Sequence, residues 1–315
     1  MKEHKEVSAL LQQAKQERRC CYGTSDAQRR ALKRRLHAGE LVSPYKNLYA
    51  DRTLWNTMTR EQQSLQVIRA LSAIHPQWVF AGLSAACVYG LQHNYSLHDG
   101  TVHIASKSGI GGGDGARLNR IYINRIPTRK HNGILLTTPA RTLLDCAAFP
   151  FPQALPIYDS ALRKSLTTIE EVQSLMIQSV CDEVSKLLKY ADPLSENGGE
   201  SLMRGQITEL SFGIPLLQVQ FMNPDNPAMS YRVDFCWKLA DGRIIVAEYD
   251  GMAKYADISN KNRASLQAKM EYDRRRDRHL REQGVTEIVH VFYEDLLRPI
   301  NLETKLLKAG VPKIR

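Results

Sequence analysis

The sequence predicts an α/β protein organised in three segments, and three observations carry that prediction. Near the start, a helix dense in Arg and Lys is followed by a short alternating stretch. Through the middle, helical and strand patterns alternate. The last third reads helix, three strands, a long basic helix, a strand and a terminal helix, the order of a single sheet flanked by helices. The 315 residues are enough for two or three domains with cores of their own. Hydrophobic residues at 43% and charged residues at 24% exclude a disordered or fibrous chain. A formal net charge of +10 favours an anionic partner, nucleic acid or an acidic membrane surface.

Segment one covers residues 1–60. TSDAQRRALKRRLHAGELV opens with a capping Ser25, places Leu32 and Leu36 on one face and stops at Gly39. VSPYKNLYA then alternates around a Pro turn, as a small hairpin does. A basic helix followed by a two-stranded wing is the outline of a winged helix-turn-helix, whose second helix enters the major groove of DNA. Arg29, Arg30, Lys33, Arg34 and Arg35 are the candidate DNA contacts. The same charges also suit a solvated helix face.

Segment two, residues 61–191, carries few chemical signals. EQQSLQVIRALSAI has helical period, WVFAGLSAACVYGL reads as strand then buried helix, and VHIAS and RIYINRI read as strands. The intervening SGIGGGDG lacks the GK[ST] ending of a phosphate loop and reads as a surface loop. TTPARTLLDCAAF starts a helix after Pro139. Cys20, Cys21, Cys87, Cys146, Cys181 and Cys236 show no CxxC spacing, so reduced thiols of a cytoplasmic protein are expected. The N-terminus has no signal-peptide core, and FAGLSAACVYGLQ is too short to cross a bilayer, so no membrane partner is expected.

Segment three, residues 192–315, begins after the polar patch DPLSENGG. Its chemistry lies in YRVDFCWKLADGRIIVAEYDG. If Ala240, Asp241 and Gly242 form a three-residue loop with Gly242 left-handed, Asp234 falls directly opposite Glu248. Glu248 and Asp250 share a strand face. Like charges so placed repel unless a shared proton or a cation relieves them. Carboxylate oxygens suit Mg2+ or Mn2+, so Asp234, Glu248 and Asp250 are the candidate metal ligands. The other reading is a surface hairpin end whose acids are simply solvated.

This segment resembles the PD-(D/E)XK nuclease superfamily, and within it the domains related to very-short-patch-repair (Vsr-like) endonucleases. VDF, then a strand ending in EYDG, then RRRDRHLREQGVTEIVHVFYEDL carry the likeness over about 120 residues. The resemblance implies a magnesium-dependent DNA endonuclease with catalytic Glu200, Asp234 and Glu248. It implies a phosphate contact for Arg204, for which an ion pair with Glu200 is the alternative. It also implies a paired role for Arg276 and Asp277, and DNA contacts for Arg274, Arg275 and Arg278. Asp250 stands where the superfamily has its lysine; Lys254, or else Lys269, is the substitute, and Asp250 becomes a further metal ligand.

The first two segments resemble the N-terminal part of AbiEi-type antitoxins of bacterial abortive-infection systems, through RRALKRRLHAGELVSPYKNLYA, LSAACVYGL and TTPARTLLDCA. That resemblance implies DNA binding and a regulator's role beside a toxin partner. It leaves a second reading open, an antitoxin-like transcriptional regulator whose nuclease-like domain is non-catalytic. Winged-helix regulators are often dimeric; no heptad run marks a dimerisation helix, and a homodimer stays open.

Overall fold

The computed structural model describes residues 5–108, 117–176, 181–250 and 263–314, without the side chains of 263–270. Lys254, the side chain of Lys269 and most of the Gly-rich SGIGGGDG stretch lie outside the described residues. The architecture is mixed α/β, with helices and mixed sheets. The chain divides into two units, Met1–Phe149 with Ser165–Ser185, and Pro150–Lys164 with Lys186–Arg315.

The first unit opens with α1 (Lys5–Gln16) and α2 (Asp26–His37), then the antiparallel hairpin β1 (Leu41–Tyr45) and β2 (Leu48–Asp51). The start of α2 is set by a capping box: Ser25 accepts from the Gln28 N–H while the Gln28 side chain reaches back. Gly39, at φ +79°, turns the chain into the hairpin. Val7, Ala14, Cys21, Leu32, Leu41 and Tyr49 form the small core between these elements.

Helices α3 (Arg52–Thr57) and α4 (Arg60–Ile74) lead to β3 (Val79–Phe80), α5 (Gly82–Val88), β4 (Val102–Ser106), β5 (Leu118–Tyr122), β6 (Thr128–His131), β7 (Ile134–Thr137) and α6 (Pro139–Cys146). The sheet order is β5-β4-β3-β7-β6, with both parallel and antiparallel pairs. The β6–β7 hairpin was not read from the sequence. Its turn is Asn132-Gly133, both left-handed at φ +49° and +80°, the backbone that a two-residue hairpin loop demands.

Helix α7 (Phe151–Arg163) belongs to the second unit; α8 (Ile169–Met176) belongs to the first, and α9 (Asp182–Tyr190) spans the division. The second unit continues with α10 (Gly198–Glu209), β8 (Leu216–Phe221), β9 (Tyr231–Lys238), β10 (Ile244–Asp250), α11 (Arg263–Glu282), β11 (Val285–Phe292), α12 (Tyr293–Leu296) and α13 (Pro299–Lys308). Helix α7 is held to α10 by a buried ion pair of Asp159 with Arg204. The two helices approach so closely at Gly205 that a Cβ there would sit 2.6 Å from Pro152 Cα. The patch at residues 192–199 lies within this unit, where the Asp192 N–H donates to Asp159 at 2.9 Å.

The four-stranded sheet has the order β11-β10-β9-β8, antiparallel except for β10–β11, which the crossover through α11 makes parallel. Phe235, Trp237, Ile245 and Ala247 pack one face with α10 and α13. Tyr231, Val233, Cys236, Val246 and Leu280 pack the other. Among the described residues, no helix is long and apolar enough to cross a membrane.

Candidate functional site

The β9–β10 turn fixes where the acids meet. Leu239 and Arg243 close a loop in which Gly242 adopts φ +87°. The ladder then runs from Ile244 opposite Lys238 to Ala247 opposite Phe235, which brings Glu248 opposite Asp234. Beyond that point Asp234 replaces the ladder, its Oδ2 accepting the Tyr249 N–H at 2.8 Å.

Glu200 comes to the same place from α10. Asn197 caps that helix, accepting from the Gly199 and Glu200 N–H groups at 2.9 and 3.0 Å. A Cβ at Gly199 would overlap the Tyr249 ring, so glycine lets α10 lie against β10 and delivers Glu200 to the sheet. The buried Glu200 carboxyl accepts from the Glu196 N–H at 2.7 Å, the Gln218 amide at 3.1 Å and the Asn197 amide.

Gln218 was not singled out in the sequence. Its backbone is left-handed, at φ +53°, in the middle of β8, and the pairs on either side leave it opposite Asp234. Side-chain alternation reverses there: Leu217 packs on one face of the sheet and Val219 on the other, as do Phe235 and Val233 across the ladder. The reversal aims the Gln218 amide between Glu200 and Asp234, 3.1 and 3.5 Å away. An isolated Gln in an apolar strand gives no signal of this before the backbone angle is known.

The electrostatics follow from burial. Removal from water, with the Asp234 charge nearby, pushes the Glu200 carboxyl up to about 7. Burial pushes Glu248 up to about 7 as well, against the pull of Arg276 and with a further push from Asp234. Arg276 on α11 pairs with Glu248 and donates to the Arg232 carbonyl at 2.8 Å. Asp250 turns to His290, whose Nδ1 lies 2.9 Å from its Oδ2, while Asp277 lies 3.8 Å from the other ring nitrogen. Hydrogen bonds to Asp250 and then Asp277 raise His290 to about 10, so it carries a charge at neutral pH.

Glu200, Asp234 and Glu248 are therefore brought together. Arg204 is not with them: it is buried against Asp159, which corrects both expected roles, since it neither pairs with Glu200 nor is free for phosphate. Arg276 pairs across the fold with Glu248 rather than with its neighbour Asp277. Of the remaining basic candidates, Arg30, Lys33 and Arg34 are exposed on α2, and Arg29 is exposed but tied to Asp26 at 3.0 Å. Arg35 turns inward, its guanidinium 3.1 Å from Ser8 Oγ, because it packs α2 onto α1; that corrects its expected role at DNA. On α11, Arg274, Arg275 and Arg278 are exposed, with Arg275 3.3 Å from Asp225 and Arg278 3.9 Å from Glu282.

A second cluster lies in the first unit and could hold a metal ion. Cys87, His93 and His98 place one ligand atom each within 4.8 Å of one another. Among the described residues this is the sole group of three or more His, Cys, Asp or Glu gathered so closely. The sequence did carry its signal, the spacing of CVYGLQHNYSLH, hidden by the apolar run that precedes it.

Over 189 residues the chain is 29% identical to the uncharacterized proteins MT2308 and Rv2248 of two Mycobacterium tuberculosis strains, a match covering 58% of this chain and 60% of each relative. The chain thus matches less than two thirds of the length of those relatives. No protein-family model matches the chain, and no solved structure matches it.

Proposed function

We propose that the second unit is a divalent-metal-dependent DNA endonuclease module of the PD-(D/E)XK kind, and that α2 with the β1–β2 hairpin is a winged-helix DNA-binding element. The observation that carries this reading is the convergence of Glu200, Asp234 and Glu248 from three elements, two of them held near pH 7 by burial. Buried acids side by side are costly in a purely structural core. The all-oxygen donor set suits Mg2+ or Mn2+, which Asp234 and Glu248 would hold. Bound there, such an ion supplies charge stabilisation at a phosphodiester and a more acidic water.

The chain's own groups do the rest. Gln218 fixes the Glu200 and Asp234 carboxylates in one orientation. A carboxyl that titrates near 7 is matched to accept a proton from water at neutral pH, and Glu200, unlike Glu248, is not ion-paired with Arg276. Arg30, Lys33 and Arg34 stand at helical neighbour spacing and contact phosphates, giving affinity without sequence choice. Lys254 keeps the water-orienting role that the resemblance assigns.

A second reading, the antitoxin-like regulator with a non-catalytic nuclease-like domain and a toxin partner, draws support from one observation. Asp250, at the usual lysine position, is taken up by His290, and Glu248 is neutralised internally by Arg276.

Calorimetric titration of Mg2+ and Mn2+ into wild type and Asp234→Ala, with plasmid nicking alongside, separates the two. The nuclease reading expects metal uptake and nicking in the wild type, with nicking reduced at least ~100-fold in the variant. DNA binding with neither metal uptake nor nicking in the wild type overturns it in favour of the regulator.

A further inference from the structure

Three side chains from separate stretches meet in the first unit: Cys87 from α5, His93 from the following loop, and His98 just after a short 3-10 turn at Tyr95–Leu97. Cys87 and His98 are buried, and His93 is half-buried. The Nε2 atoms of the two rings face each other at 2.6 Å. Two bare ring nitrogens at that separation repel unless a proton or a metal ion lies between them.

The far side of each ring is fixed by oxygen. His93 Nδ1 lies 2.7 Å from the Leu91 carbonyl, which can only accept, so Nδ1 carries the hydrogen and Nε2 presents a lone pair. His98 Nδ1 lies 2.9 Å from Ser64 Oγ, a hydroxyl able to accept from it. Both rings can therefore be neutral with their Nε2 lone pairs converging. That is the arrangement in which a ligating histidine gives its other N–H to an oxygen partner. A proton shared by two rings needs no third donor, yet Cys87 Sγ lies within 4.8 Å of both.

We propose that Cys87, His93 and His98 form a zinc site whose fourth position opens onto the adjoining cavity. One sulfur and two imidazoles match the borderline softness of Zn2+ and are poor ligands for Mg2+. Zn–N bonds of about 2.0–2.1 Å require the two nitrogens to part by under roughly 1 Å. Cys87 and His98 also line a cavity of about 530 Å³, together with Ser64, Arg60 and Asp99. A three-ligand site beside such a space leaves room for water or an exchangeable ligand on the metal. The site also gives the buried thiol a use. Burial pushes the Cys87 thiol up and both histidines down, so metal entry displaces one proton, from the thiol, and none from the rings in the lone-pair state.

The test is cobalt and zinc titration of the full chain, with zinc content read after dialysis. Wild type is expected to hold about one equivalent of zinc and to show a thiolate-to-cobalt charge-transfer band. Cys87→Ser should lose the band, and His93→Gln should bind metal at least ~10-fold more weakly. A wild type without the thiolate band, or a Cys87→Ser protein that keeps it, overturns the proposal. The wild-type spectrum decides even where a variant folds poorly.

Discussion

The two clusters are shaped by the same force with opposite results. In the second unit, burial acts on carboxylic acids and raises Glu200 and Glu248 to about 7. In the first, it acts on imidazoles and lowers His98 to about 4. Both are the refusal of a low-dielectric interior to hold charge. The acids become poised to ionise near neutrality, whereas His98 stays neutral through the physiological range. One cluster offers hard oxygen donors and carries Arg276 as a counter-charge; the other offers sulfur and nitrogen. The difference teaches that burial alone does not make a site: the ionisation it favours decides which ion is complementary.

The comparison can be broken most forcefully at Arg276. Its side chain and that of Glu248 are only 15% and 9% exposed, so Arg276→Ala leaves a buried acid without its partner. A loss of about 3–5 kcal/mol in urea unfolding is expected at pH 8. A loss near zero would mean that Glu248 is held by something other than this pair.

The next test uses pH, on chelator-treated protein. Glu200 has a folded pKa above its ordinary value, so its contribution is full below about pH 4.5 and is lost as pH rises through about 7. Glu200→Gln should remove that alkaline decline, roughly 3 kcal/mol between pH 4.5 and 8. Added Mg2+ should flatten the same limb in wild type, because the ion replaces the protons.

The smallest effect belongs to the first unit and has the reverse sign. His98 has a lowered folded pKa, so its contribution is full above about pH 6.5 and is lost as pH falls toward 4. Between pH 8 and pH 5 this amounts to about 2 kcal/mol, which His98→Gln should abolish in metal-free thermal unfolding. An unchanged acid limb in that variant would place the titrating group elsewhere.

Local rules made much of this architecture readable. The Ser25 cap and Gly39 stop bound α2, and Gly242 set the register that brings Asp234 opposite Glu248. Each depends on a few adjacent residues whose backbone options are narrow. What stayed hidden depends on distant partners. Helix α7 joins the second unit because Asp159 meets Arg204, 45 positions along the chain, and no local pattern announces such a pair. The β6–β7 hairpin differs: Asn132-Gly133 is a strong turn signal, but the two strands it joins are only four residues each, and the first is mostly exposed and polar. The cysteine–histidine group was visible as spacing, but its rings converge only after a loop and a 3-10 turn have folded.

Gln218 carries a consequence for how this sequence can change. A residue with a Cβ at φ +53° costs on the order of 1 kcal/mol, and glycine would relieve it. Glycine would also delete the amide that links Glu200 to Asp234, so the substitution that relaxes the strand dismantles the acid cluster. Asparagine tolerates the angle, but its shorter side chain stops about one methylene short of the two carboxylates. Stability gained at this position therefore comes only with the loss of the tie between the two carboxylates, so backbone comfort and the arrangement of the acids cannot both be optimised by one residue here.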